Sequence, residues 1–156
     1  MEASSRASKP PASHEFAKTL IKLTVAGGTA FWATTIALSL LPIAAEFRAA
    51  LSLSYFQTVF VEALIAGMII GCCVSFALLR FFGKRPTKNA ILKSEVLSFI
   101  ALAILSILIQ VAASRGSGDA LRVFLIGAVL NVPRFLVLGF VVGYLYRRLS
   151  GSKRLV

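Results

Sequence analysis

Four long apolar runs separated by polar breaks dominate the chain: Thr19–Leu41, Tyr55–Phe82, Glu95–Ala113 and Ala120–Tyr146. A helix rises 1.5 Å per residue, so about 20 residues cross the roughly 30 Å hydrocarbon core of a bilayer. Each run meets or nearly meets that length, and none shows the strict alternation of a barrel strand. The pattern predicts an all-α integral membrane protein, a four-transmembrane-helix bundle with spans at 19–41, 55–82, 95–113 and 120–146. Residues 1–17, rich in Ser, Ala, Pro and Lys, read as a flexible polar tail. Residues 18–148 read as a single membrane domain and residues 149–156 as a basic tail. Between the first two runs, residues 42–54 carry Glu46, Phe47, Arg48, Leu51 and Leu53, a pattern suited to a short amphipathic segment in the interface.

Composition agrees. Of the 156 residues, 58% are hydrophobic and 15% charged, with a mean hydropathy of +0.86. Soluble domains average about 45–50% apolar and about 25% charged. These values rule out disorder and weigh against an ordinary water-soluble domain.

Charge then orients the spans. Seventeen Lys and Arg stand against six Asp and Glu, a net charge of +11. Arg6, Lys9, Lys18 and Lys22 lie at or before the first span. Arg80, Lys84, Arg85, Lys88 and Lys93 lie between the second and third, and Arg147, Arg148, Lys153 and Arg154 follow the fourth. The opposite side holds only Arg48, Arg115 and Arg122, and Arg134 falls inside the last span. Basic residues concentrate on the cytoplasmic side of membrane proteins. Both termini are therefore expected in the cytoplasm, across the plasma (inner) membrane, with anionic lipid headgroups as partners at that face. The basic residues cluster at span ends and do not interleave with aromatics on a polar stretch, so nucleic acid is not an expected partner.

The residues offer little for catalysis or metal binding. His14 is the only histidine, and Cys72 and Cys73 sit side by side in an apolar run. No metal set, cofactor motif or Cys–His couple can be assembled from them. The two cysteines read as small buried side chains.

Small residues mark the expected packing faces. Lipid tails are as apolar as leucine, so spans associate through close contact and polar links. Ala63, Gly67, Gly71 and Ser75 recur every four residues in the second run, and Gly139 and Gly143 do so in the fourth. The first run has Gly27 and Gly28. Their partners lie either within one chain or between copies.

A polar layer is the remaining signal. Measured from the midpoint of each run, Glu62 lies about 10 Å, Gln110 about 9 Å, and Thr34 and Thr35 about 6–8 Å toward the outer face. Asn131 lies about 3 Å outward and Arg134 near the centre. The axial gap between Glu62 and Arg134 comes to about 11 Å, so a direct pair needs tilt or a bridging water. Pro133 removes a backbone donor beside Arg134, a kink position whose freed carbonyl needs another partner. Glu95, at the start of the third run, reads as a helix-dipole partner.

An ionisable residue inside a span is costly and marks function by default. Yet Glu62, Gln110, Asn131 and Arg134 read first as a buried hydrogen-bonded network that fixes helix register and second as a ligand or ion site. Three classes of function follow. The first is a non-catalytic accessory or scaffold subunit, working through helix packing as a homo-oligomer or in a larger membrane complex. The alternative is an oligomeric small-solute or ion transporter or channel using Glu62, Gln110, Asn131 and Arg134. A lipid-modifying enzyme has weaker support, because one carboxylate without a histidine, metal set or activated nucleophile makes no catalytic site.

Overall fold

A computed structural model describes residues 12–42, 44, 56–82, 89–113 and 120–152. Among them there are four long helices and no strand: α1 (Ala12–Ser39), α2 (Phe56–Phe82), α3 (Ala90–Ala113) and α4 (Ala120–Ser152). Each contains a stretch long and apolar enough to cross a membrane: His14–Ser39, Phe60–Phe82, Ala90–Leu108 and Phe124–Ser150. The chain is a multi-pass membrane protein built as a helical bundle.

Local chemistry sets the helix ends. α1 starts directly after Pro10 and Pro11, residues tolerated before a helix and in its first turn but not in its interior. It begins inside the segment read as a flexible tail, so residues 12–17 are helical. Its C-terminus tightens into a turn. The Leu40 amide donates to the Ala37 carbonyl at 3.4 Å and the Leu41 amide to the Leu38 carbonyl at 3.1 Å. Pro42 then stops the helix.

α3 begins at Ala90, five residues ahead of the expected start at Glu95. Asn89, a favoured capping residue, accepts the Lys93 amide at 3.1 Å. Lys93 then lies within the first turn with its ammonium 4.4 Å from the centre of the Phe82 ring at the end of α2. A cation over an aromatic face is stabilising, so a charged residue can stand inside the helix. α4 runs unbroken through Pro133 and continues to Ser152, past the expected end at Tyr146 and into the basic tail. Most of the 42–54 segment lies outside the described residues.

α1 packs on α2, α4 packs on α1, and α3 packs on α4, while α2 and α3 meet more lightly. α2 and α4 are diagonal partners with little contact. The core between them holds Leu23, Phe31, Val74, Leu78, Leu138 and Val142, with Phe135 completely buried. Phe31 meets Phe135 edge to face at 5.5 Å between ring centres. That is a favoured geometry for aromatic pairs.

Glycine governs the two tightest seams, and both lie within one chain. On α2, Gly71 faces Gly28: a Cβ added at Gly71 would stand 3.1 Å from the Gly28 nitrogen and 3.2 Å from the Thr24 carbonyl oxygen. On α4, a Cβ at Gly143 would stand 2.7 Å from the Ile91 Cα, and one at Gly139 would stand 3.1 Å from the Glu95 Cα. Backbone atoms cannot give way as a flexible side chain can. Gly67 and Ser75 are buried on the same α2 face, whereas Ala63 is half-buried.

The cysteines correct an expectation. Cys72 and Cys73 are free and exposed. They follow Gly71 around the helix, and the 100° step per residue carries both away from the α1 seam. An apolar run in a membrane is apolar on all sides, so composition alone does not separate its lipid face from its protein face.

The glycine seams generate a prediction. Gly143→Leu should destabilise the bundle by about 1–3 kcal/mol through overpacking. Ala103→Leu, on an exposed face of α3, should stay within about 0.5 kcal/mol. Unfolding midpoints in mixed-micelle SDS titration measure both.

Candidate functional site

Apart from Thr24 and Ser75, whose buried hydroxyls have no hydrogen-bond partner, the main polar residues of the spans fall into three groups. The first spends its hydrogen bonds on its own helix. Thr34 donates to the Ala30 carbonyl at 2.8 Å and Thr35 to the Phe31 carbonyl at 2.9 Å. A threonine hydroxyl four residues along satisfies itself this way in a helix. Neither hydroxyl proton is therefore directed toward a neighbouring helix.

The second group ties helices together. Ser94 of α3 lies 2.6 Å from the Gly139 carbonyl of α4 and 2.9 Å from its own Ile91 carbonyl, sharing one proton between them. Trp32 of α1 donates its indole N–H to the Phe60 carbonyl of α2 at 3.1 Å. Sequence reading missed the Ser94 link, and it placed Glu95 at a membrane boundary. The structure instead sets Glu95 Oε2 and Ser98 Oγ in the α3–α4 seam, where a Cβ on Gly139 would meet them at 2.8 and 2.7 Å. Both atoms are buried without a hydrogen-bond partner. The available signal was Ser94 and Ser98, four apart on one face, opposite Gly139 and Gly143 with the same spacing.

The third group carries the intramembrane charge. Arg134 donates from Nη1 to Asn131 Oδ1 at 3.1 Å, the one-turn spacing of neighbours on a helix. Asn131 is buried and Arg134 half-buried. The Arg134 Nε is buried without a partner. A guanidinium offers five donors in a planar fork suited to a carboxylate or phosphate, and Asn131 engages only part of it. Pro133 separates the two in sequence, where the helix has one donor fewer.

Glu62 stands apart. The buried face of α2 carries Gly67, Gly71, Val74 and Leu78, and Glu62 falls on the opposite side with exposed Ala66, Ile69 and Cys73. Its level is nevertheless that of Arg134. Gly28 of α1 sits against Gly67 and Gly71 of α2, and Gly27 sits against Leu138 and Val142 of α4. Positions near 69 and 139 are therefore level, and α2 and α4 run in the same direction. Glu62 then matches a position near 132, about 3 Å from Arg134 along the axis. The gap of about 11 Å expected from run midpoints shrinks because the apolar runs extend unequally beyond the common membrane layer. The two charges share a level but lie on diagonal helices, with Glu62 facing away from the bundle. The Gln110 side chain lies outside the described residues.

A cleft of about 350 Å³ opens at the end of the bundle that carries both chain termini, lined by Glu15, Phe16, Thr19, Leu79, Tyr146, Leu149 and Ser150. It lies several turns from the polar layer. Among the described residues, no group of three or more His, Cys, Asp or Glu converges on one point. No protein-family model, curated protein or solved structure matches the chain.

Two substitutions separate the groups. Asn131→Ala leaves the half-buried Arg134 guanidinium without its acceptor and should cost about 1–3 kcal/mol. Ser94→Ala removes a link of the interhelical kind that averages about 0.6 kcal/mol in a membrane protein. SDS unfolding titrations should rank Asn131→Ala as the more damaging change.

Proposed function

We propose that this protein is a non-catalytic accessory or scaffold subunit of the plasma (inner) membrane, acting through lateral helix packing with a protein partner. Glu62 carries this reading. It is exposed on the outward side of α2 within the apolar span, among Val61, Leu64, Ile65 and Ile69, all exposed hydrophobics. A carboxylate facing acyl chains is costly, and membrane proteins direct such groups toward protein or water. A neighbouring protein that covers this face relieves the cost.

The orientation belongs to the same proposal. Lys18, Lys22, Arg80, Arg147 and Arg148 are exposed at the bundle end that carries both termini. Excess Lys and Arg identify the cytoplasmic side, and they place anionic headgroups beside that end. Transport is the second reading, and the half-buried Arg134 with Asn131 favours it. In that version the guanidinium recognises an anionic solute inside an assembly of several chains.

Native mass spectrometry of the protein drawn from its own membrane in mild detergent tests the main proposal. The expected spectrum shows it bound to protein, and Glu62→Leu should reduce that complex. A wild-type chain that carries only lipid would overturn the reading. Reporter fusions at the two termini should both report the cytoplasm. Reconstituted vesicles should show no flux of small anions above empty vesicles, and flux abolished by Arg134→Gln would favour transport instead.

A further inference from the structure

Among the described residues neither Glu62 nor Arg134 has a counter-charge, they occupy the same level of the bundle, and the fold keeps them apart. Glu62 points out from α2. Arg134 is half-buried on α4 with its Nε unpartnered, and α4 stands diagonally across from α2. No rotamer of either side chain bridges a bundle through its own core. A second copy inserted in the same membrane has the same orientation, so its Arg134 arrives at the level of the first copy's Glu62 without any axial shift.

We propose that copies of this chain associate side by side, the outward face of α2 in one packing on α4 of the next, with Glu62 paired to Arg134 across the contact. This inference rests on the lateral-packing function above and names its partner as a second copy. Charge complementarity selects the partner surface. Two α2 faces meeting about a two-fold axis would set Glu62 against Glu62, a like-charge contact. The α2-to-α4 contact sets carboxylate against guanidinium in a medium of low dielectric, where such a pair is strong and where Arg is suited to bidentate binding of a carboxylate. The surroundings fit close approach. Ala66 lies one turn below Glu62 on the outward face, and Val137, 37% exposed, lies one turn below Arg134. Ala66 corresponds in level to a position near 136, so these two small or medium side chains meet when the charges do. The contact joins two different surfaces, so successive copies form a closed ring or an open row.

The test uses the full chain in native membranes with Cys72 and Cys73 replaced by serine. One copy carries Ala66→Cys and a differently tagged copy carries Val137→Cys, and mild oxidation follows. The expected result is a mixed disulfide between the two tags, at least tenfold above the Ala66→Cys self-pair. A dominant Ala66→Cys self-pair, or no cross-link, would overturn the proposal. Neither change alters a charge, so the result survives if an Arg134 variant fails to fold. Charge exchange adds a second measurement. Glu62→Arg alone should reduce assembly at least tenfold in native mass spectrometry, and co-expression with Arg134→Glu copies should restore mixed assemblies. Assembly unchanged by Glu62→Arg would overturn the pairing. A wild-type chain bound to a different protein but never to itself sinks this inference and leaves the packing function standing. A wild-type chain bound only to lipid sinks both.

Discussion

Helices in a bilayer gain nothing by hiding apolar side chains from a solvent that is itself apolar. What holds this bundle is therefore the approach of backbone to backbone at a few glycines. Gly28 against Gly71 joins α1 to α2, and Gly139 and Gly143 bring α4 against α3. Everything else is arranged around those two seams. The close approach brings Ser94 within hydrogen-bonding distance of a carbonyl on another helix, and it sets the levels at which the aromatic core and the polar residues lie. The edge contact of Phe31 and Phe135 then joins the two seams through α1 and α4.

The same economy governs polar groups. Thr29, Thr34 and Thr35 return their hydroxyl protons to their own helix, so they can be carried through lipid at little cost. The described residues that do not do this include Glu95 and Ser98 in the α3–α4 seam, Thr24 of α1, Ser75 of α2, Arg134 beside Asn131, and Glu62 on the outside. Ser98 is enclosed by the fold, whereas Glu95 is half-buried with its Oε2 inside the seam. Arg134 is half-enclosed and receives one partner from its own helix. Glu62 receives none from the bundle, and this difference in enclosure separates residues that complete the bundle from one that looks beyond it.

Much of this architecture could be read in the sequence. Run length and hydropathy found all four helices, because a bilayer imposes a single length scale on every crossing. Four-residue spacing found Gly67, Gly71, Ser75, Gly139 and Gly143. The misreadings have a common physical origin. An apolar run does not say which of its faces meets lipid, so Cys72 and Cys73 were placed inside and Glu95 at an edge. Nor does its midpoint say where it sits relative to its neighbours, because the helices extend to different distances on either side of their contacts. The contacts at Gly27, Gly28 and Phe31 fix a shared level, and that information resides in pairs of helices rather than in any one run.

The pairing of helices also bears on how the protein is made. Each tight seam joins partners consecutive along the chain, first with second and third with fourth. A ribosome delivers such partners to the membrane one directly after the other. Each hairpin can thus zip shut before the following pair emerges, and only the docking of two finished hairpins awaits the end of synthesis. The contact of Gly27 with Leu138 and Val142 is then the glycine seat that waits for the last helix.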